Sequence, residues 1–345
     1  MAAPPSLPII NIAPYLTTDD PAGRARVSQE LHEACSKYGF FYLDFTSLID
    51  LKEPEDLSDL GRAFFQLPEE EKLEISLSNQ DGARGYARLK ENMTMGKADN
   101  HEGLDFYRPV SDPDETKPLW GENQWPTSMP QLETAFMGWT EKMKRLGMIL
   151  MEAMSVGLGM TREEWKKLRA QVDESFWVMR IIGYPPLPGD ADGYSCGAHR
   201  DYGCLTFLYA DETRNALQVF QPGKRSANKR HLDGLPAEEG EGEGEGHWIV
   251  ADPIPGCFVC NVGEMWEIWS NGLYKSTLHR VIHRSSNYRV SMPFFFEPNF
   301  DAHVKPLAAA LRIQEKDPQL APSKAYDPVT YGDFLLGRVS NNFSM

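Results

Sequence analysis

The hydrophobic pattern changes its period along the chain. From Leu7 a short apolar run, LPIINI, gives way to a polar amphipathic segment around Arg24 to Tyr38 and then to GFFYLDF. That order predicts strand, helix, strand. Between Leu57 and Ile75, Leu60, Phe64, Phe65 and Leu67 stand among charged residues, and Leu67-Pro68-Glu69-Glu70 marks one helix ending and another beginning. Residues 78–130 are rich in Gly, Pro, Asn and Asp without sustained periodicity, so long loops with short elements are expected. Over Met129 to Met160, Phe136, Trp139, Met143, Leu146, Leu150 and Met154 recur at intervals of three and four. This is the stripe of one long helix with a buried face.

From Phe176 to Phe300 the texture becomes short alternating runs with turn residues between them: FWVMRIIGY, CLTFLYA, ALQVF, HWIVA, CFVCNV and RVSMPFFF. Many short strands at this spacing indicate an antiparallel sandwich or barrel. The expected fold is therefore mainly β with flanking helices around a jelly-roll core, a double-stranded β-helix. Residues 223–246, GKRSANKRHLDGLPAEEGEGEGEG, interrupt the series with basic and then acidic low-complexity sequence, which reads as a disordered surface insertion. The chain is expected to act as one compact unit. Residues 1–130 form a mixed α/β region, and residues 131–345 carry the core, about 174–300, with bracing helices.

Composition narrows the partners. Hydrophobic residues make up 41% and charged residues 25% of 345 positions, as in soluble globular proteins. The formal net charge of -15 disfavours nucleic acids and anionic membrane surfaces. No feature points to an obligatory protein partner, and a small anionic cosubstrate would need its own local basic residue. Cys35, Cys196, Cys204, Cys257 and Cys260 are odd in number and scattered, which fits a reducing compartment better than a disulfide framework. Cys257 and Cys260 form a lone CxxC among apolar neighbours, as in a buried strand. The N-terminus lacks a charged region followed by an apolar stretch, and Leu146 to Met160 is too short to span a bilayer. A cytoplasmic location is the expectation.

The chemistry begins at Gly197-Ala198-His199-Arg200-Asp201-Tyr202-Gly203. An imidazole and a carboxylate two positions apart at the head of a strand lie on one face. Redox-active iron(II) accepts two histidines and one carboxylate on one face of its octahedron, with positions left open for substrate and oxygen. A second histidine is then required. HxD alone is a weak signal, since His231-Leu232-Asp233 repeats it inside the low-complexity insertion, where no rigid strand supports it. Downstream of His199, however, the chain offers Leu278-His279-Arg280-Val281 and then Arg289-Val290-Ser291.

His279, Arg289 and Ser291 have the same parity and would share a face on a regular strand, although Ser285-Ser286-Asn287 is turn-like. In this reading His279 completes a metal triad, and Arg289 with Ser291 meets the distal end of a dicarboxylate. A planar, permanently charged guanidinium holds a carboxylate through two parallel hydrogen bonds, and a hydroxyl adds a third. The alternative for Arg289 is a structural salt bridge. His283 competes for the metal by parity, but the spacing to Arg-x-Ser favours His279. His32, His101, His247 and His303 have no ligand partner at useful spacing.

Together with HRDYGCLTFLY, ALQVF, NVGEMWEIWSNGLYKSTLHRV and RVSMPFFFEP, and with GFFYLDF and RAFFQLPEEEK near the N-terminus, these motifs resemble the isopenicillin N synthase-like superfamily of 2-oxoglutarate and iron(II) oxygenases. The resemblance implies that His199, Asp201 and His279 hold Fe(II), and that Arg289 and Ser291 bind the 5-carboxylate of 2-oxoglutarate. It implies that Tyr184, in IIGYPP, helps position this cosubstrate, with dioxygen as the other. Arg180 lies on the same strand face as Tyr184 and would reach cosubstrate or substrate, or else be a paired structural residue. Glu264, Ala216 and Ile182 depart from the family's usual Asp, Gly and Asn and assign the chain to no particular subfamily.

The implied activity is oxidation of a small organic molecule, most commonly hydroxylation, with desaturation or cyclisation as other outcomes. Two further readings stay open. One is an Fe(II) oxidase that uses Arg289 for a substrate carboxylate and needs no 2-oxoglutarate. The other is a jelly-roll protein that binds a metal or small ligand without catalysis.

Overall fold

A computed structural model describes residues 7–17, 19–94, 96–187, 194–222 and 246–342. Its strands are β1 (Ile9–Asn11), β2 (Phe40–Asp44), β3 (Gly85–Ala87), β4 (Met93–Thr94), β5 (Lys97–Ala98), β6 (Glu102–Tyr107) and β7 (Val178–Tyr184) in the first half. The second half supplies β8 (Cys196–His199), β9 (Leu205–Ala210), β10 (Leu217–Pro222), β11 (Gly246–Val250), β12 (Cys257–Val262), β13 (His279–Val281) and β14 (Arg289–Phe296). An eight-stranded sheet runs β1-β2-β12-β9-β14-β7-β6-β3, and a four-stranded sheet runs β11-β10-β13-β8. Only β1 and β2 pair in parallel within these two sheets.

Leu217, Val219 and Val281 from the smaller sheet pack with Tyr42, Ile182 and Val259 from the larger one in a single apolar cluster. The alternating runs thus build the double-stranded β-helix expected of them, because each strand turns one face inward. The larger sheet's other face belongs to a second core shared with the helices Pro21–Lys37, Lys52–Phe65 and Gln131–Gly157. The stripe Phe136, Trp139, Met143, Leu146, Leu150 and Met154 is fully buried there. Each such side chain contributes about 1.5–3 kcal/mol relative to exposure. Gly147 lets this helix approach β14, since a Cβ there would run into the Phe296 ring.

Residues 78–130 are more ordered than their composition predicts: β3 and β6 extend the larger sheet, and β6 is almost wholly buried. Its charged residues disguise it. Glu102 accepts from Lys72 Nζ at 2.8 Å, Tyr86 at 2.6 Å and Tyr288 at 2.7 Å, while Asp105 accepts from Arg180 Nε at 2.8 Å. A buried charge is tolerated in a strand when it is paired and hydrogen-bonded. Glu102→Ala would leave Lys72 buried without its counter-charge and is expected to cost about 3–5 kcal/mol. Urea denaturation checks this as a lowered midpoint at unchanged slope.

The low-complexity insertion, with His231 and Asp233, lies outside the described residues except for Gly246, which opens β11. Cys35, Cys204 and Cys260 are buried, and all five cysteines are free. Among the described residues no helix is long and apolar enough to cross a membrane.

Candidate metal and cosubstrate site

His199 is the last residue of β8, not the head of a strand, and Asp201 follows it in the turn. The two therefore converge because the chain leaves the sheet there, and alternation plays no part. His279 opens β13 directly opposite His199 in the antiparallel pair, with ring centroids 4.3 Å apart. Nε2 of each histidine lies 3.6 Å from Asp201 Oδ1. The three ligand-type atoms fall within 4.8 Å of one another.

The surroundings fix which atoms face this centre. Nδ1 of His199 lies 2.8 Å from the Gly197 carbonyl, and Nδ1 of His279 lies 3.1 Å from that of Thr277. A carbonyl only accepts, so each Nδ1 carries the hydrogen and each Nε2 turns to the shared point. Asp201 Oδ2 is occupied by Thr206 Oγ1 and by Asn261 Nδ2 at 2.6 Å, which leaves Oδ1 toward the imidazoles. Burial would raise the Asp201 carboxyl, but the two histidines and these bonds hold it below the usual range. Burial and His199 push His279 down to about 4, whereas Cys196 and Asp201 outweigh burial at His199 and lift it to about 10. A proton and a divalent cation compete for that nitrogen. Two imidazole nitrogens and one carboxylate oxygen are a donor set that suits iron(II).

Arg289 and Ser291 lie on β14, in the sheet opposed to the one that carries His279. The expectation that these residues share one strand face therefore fails; the turn after β13 carries the chain from one sheet to the other. Arg289 pairs in register with Tyr184, and Ser291 with Ile182. The Arg289 guanidinium is 4.7 Å from the centre of the Tyr184 ring. Burial raises the Tyr184 phenol. Arg289 is 2% exposed, yet its Nε and Nη1 have no hydrogen-bond partner. A buried guanidinium with unused donors is costly unless an anion meets it, so a carboxylate fits here.

Arg180 is ion-paired with Asp105 at 2.8 Å, and its charge also acts on Tyr184, His101 and Asp99. His283 is buried and bonds the Asn287 carbonyl at 2.7 Å through Nε2, a turn-holding role. His101 does have partners, contrary to what its sequence spacing predicts: it meets Asp99 and Cys196. Sequence reasoning also missed Thr206 and Asn261. Their signal was a single polar residue in each of the otherwise apolar strands CLTFLYA and CFVCNV.

Residues 7–128 match the family described as non-haem dioxygenase in morphine synthesis N-terminal, and residues 174–298 match the 2OG-Fe(II) oxygenase superfamily. A homoarginine-6-hydroxylase of Glycine max is 39% identical over 98% of this chain and 97% of its own length. The chain belongs to the 2OG-Fe(II) oxygenase superfamily. This oxygenase is also 36% identical to a homoarginine-6-hydroxylase of Oryza sativa subsp. japonica, over 99% of this chain and 98% of the relative. Its fold matches that of a full-length Neurospora crassa protein crystallised with alpha-KG, with a TM-score of 0.76 at 23% identity over 98% and 96% of the two chains. The 2OG-Fe(II) oxygenase is an oxidoreductase that depends on Fe(II), 2-oxoglutarate and dioxygen. That leaves the 2-oxoglutarate-independent oxidase and the non-catalytic binder without support.

Proposed function

We propose that His199, Asp201 and His279 hold the iron, that Arg289 and Ser291 take the distal carboxylate of 2-oxoglutarate beside Tyr184, and that the enzyme hydroxylates a small organic molecule. The observation that carries this reading is one carboxylate oxygen 3.6 Å from two imidazole nitrogens, with a buried, unsatisfied guanidinium on the opposing sheet. Iron with 2-oxoglutarate and dioxygen supplies the oxidising power, and 2-oxoglutarate leaves as succinate and carbon dioxide.

The chain's own residues orient and shield. Thr206 and Asn261 keep Asp201 Oδ2 engaged, and the Phe40 ring stands edge-on to His279 at 5.2 Å. Val219, Val281 and Ile182 are buried between the sheets and keep water from the cosubstrate end. Residues 1–130 and 131–345 act as one unit, a reading supported by β1 and β2 joining the sheet of β12. Five free cysteines support the cytoplasm.

The relatives named homoarginine-6-hydroxylases make homoarginine the first candidate substrate. The test is oxygen uptake and succinate release by the iron-loaded enzyme with homoarginine and a panel of small metabolites. Succinate and a hydroxylated product in equal amounts are expected; product formed without succinate would overturn the role given to Arg289.

A further inference from the structure

Three polar side chains outside the triad converge beside it. Asp99 and His101 lie in the link between β5 and β6, and Cys196 opens β8. They bring a carboxylate oxygen, an imidazole nitrogen and a sulfur within 4.8 Å of one another. The cluster adjoins the metal site. Cys196 Sγ is 3.7 Å from His199 Nδ1, and Asp99 Oδ1 accepts the Gly197 N–H at 2.8 Å. The Gly197 carbonyl in turn accepts from His199. On its other side the His101 ring stands edge-on to Tyr184 at 5.5 Å.

Asp99 and His101 are 3% and 2% exposed, so what they lack is informative. His101 Nδ1 lies 2.7 Å from the Ser195 carbonyl and therefore carries the hydrogen. Its Nε2 is then an acceptor, and it is buried without a partner. Burial and the neighbouring Arg180 push this imidazole down to about 3, so it is neutral at physiological pH. Arg180 is bonded to the buried Asp105 and offsets that charge. Arg180 also acts on Asp99. With Arg180 committed to Asp105, the Asp99 carboxylate has no full counter-charge of its own. Its two bonds come from neutral donors, the Gly197 N–H and Thr94 Oγ1 at 2.7 Å. Burial lifts its carboxyl above the usual range, the direction expected of a carboxylate without a full counter-charge.

A planar guanidinium or an ammonium answers both deficits, since it brings positive charge and several N–H donors and no acceptor. A neutral polar group would serve His101 alone, and an anion would be repelled. We infer that Asp99 and His101 form a subsite for the cationic group of the substrate, placed so that the carbon bearing that group is presented beside His199. This rests on the hydroxylase reading above and adds the substrate class to it. The sulfur of Cys196 names the competing occupant, a thiophilic metal ion.

Binding is measured without turnover, by anaerobic titration of the enzyme loaded with Mn(II) and 2-oxoglutarate. Homoarginine, arginine and agmatine are each compared with a ureido isostere of the same shape and no charge. At least one cationic member should bind roughly 30-fold or more tightly than its isostere, the size of a charge-assisted bond. Asp99→Asn keeps an acceptor for Gly197 and should reduce that ratio to within about threefold. His101→Phe keeps the ring against Tyr184 and should weaken the cationic ligands about tenfold. Equal binding of every cationic and neutral pair, or undiminished selectivity in Asp99→Asn, would overturn the subsite. So would a second equivalent of Zn(II) that disappears in Cys196→Ser. Selective binding with no succinate released by the Fe(II)-loaded enzyme in air would keep the subsite and sink the hydroxylase reading.

Discussion

His279→Ala is expected to abolish succinate release, a loss of at least ~1000-fold, and to leave the fold intact. A bound metal contributes several kcal/mol of transition-state stabilisation, and each 1.36 kcal/mol is about tenfold in rate. The imidazole contributes little else, since its recorded bond is one from Nδ1 to the Thr277 carbonyl at 3.1 Å, with Phe40 against its edge. Metal binding provides a readout independent of turnover. A cation that binds the folded state alone, present at 100 times its Kd, stabilises by about 2.7 kcal/mol. Wild type should therefore show a raised thermal midpoint with Mn(II), and His279→Ala should not. Asn261→Ala and Thr206→Val retain all three ligands but release Asp201 Oδ2, and are expected to weaken metal binding by roughly 10- to 100-fold. An alanine variant that retained wild-type iron content and succinate release would remove His279 from the metal site.

The identities of these residues were legible in the sequence; their arrangement was only partly so. The order His199, Asp201, His279, Arg289, Ser291 could be singled out as a candidate site because those side chains are few in kind and specific in their demands, and the first three converge in the fold. Strand parity, however, assumed that neighbours in sequence share a sheet. His279 and Arg289 do not, and Asp201 lies beyond the end of β8. Alternation along one strand holds no information about which sheet the next strand joins. The jelly-roll strands read clearly because most of their buried positions are apolar, the polar residues of the site being the exceptions.

β6 did not read as a strand, because two of its buried positions are acidic and their partners, Lys72 and Arg180, are distant in sequence. The same cause hid Asp99 and His101: their neighbour Cys196 comes from another strand, and the deficit that marks them is an unmet bond, which no spacing records. Thr206 and Asn261 passed as members of apolar runs. Their hydroxyl and amide matter only once Asp201 is seen to need its second oxygen held.

Arg289→Met is expected to act with opposite signs on cosubstrate binding and on stability. The guanidinium is 2% exposed with two nitrogens unmatched, so the ligand-free protein bears the cost of a buried, unsatisfied charge. A methionine of similar length fills the space over Tyr184 without that charge, and the ligand-free variant should be more stable by about 1–3 kcal/mol. Binding of 2-oxoglutarate should weaken by about 2–5 kcal/mol, roughly 30- to 5000-fold, since one member of a buried, hydrogen-bonded charge pair is gone. Denaturation with and without 2-oxoglutarate measures both effects in one experiment. Wild type should gain stability from the ligand, and the variant should start higher and gain almost nothing. A structural salt bridge makes the contrary prediction, because removing one partner strands the other. A fall in the stability of the ligand-free variant would therefore mean that the protein itself already satisfies Arg289, and the carboxylate of 2-oxoglutarate would need a different anchor.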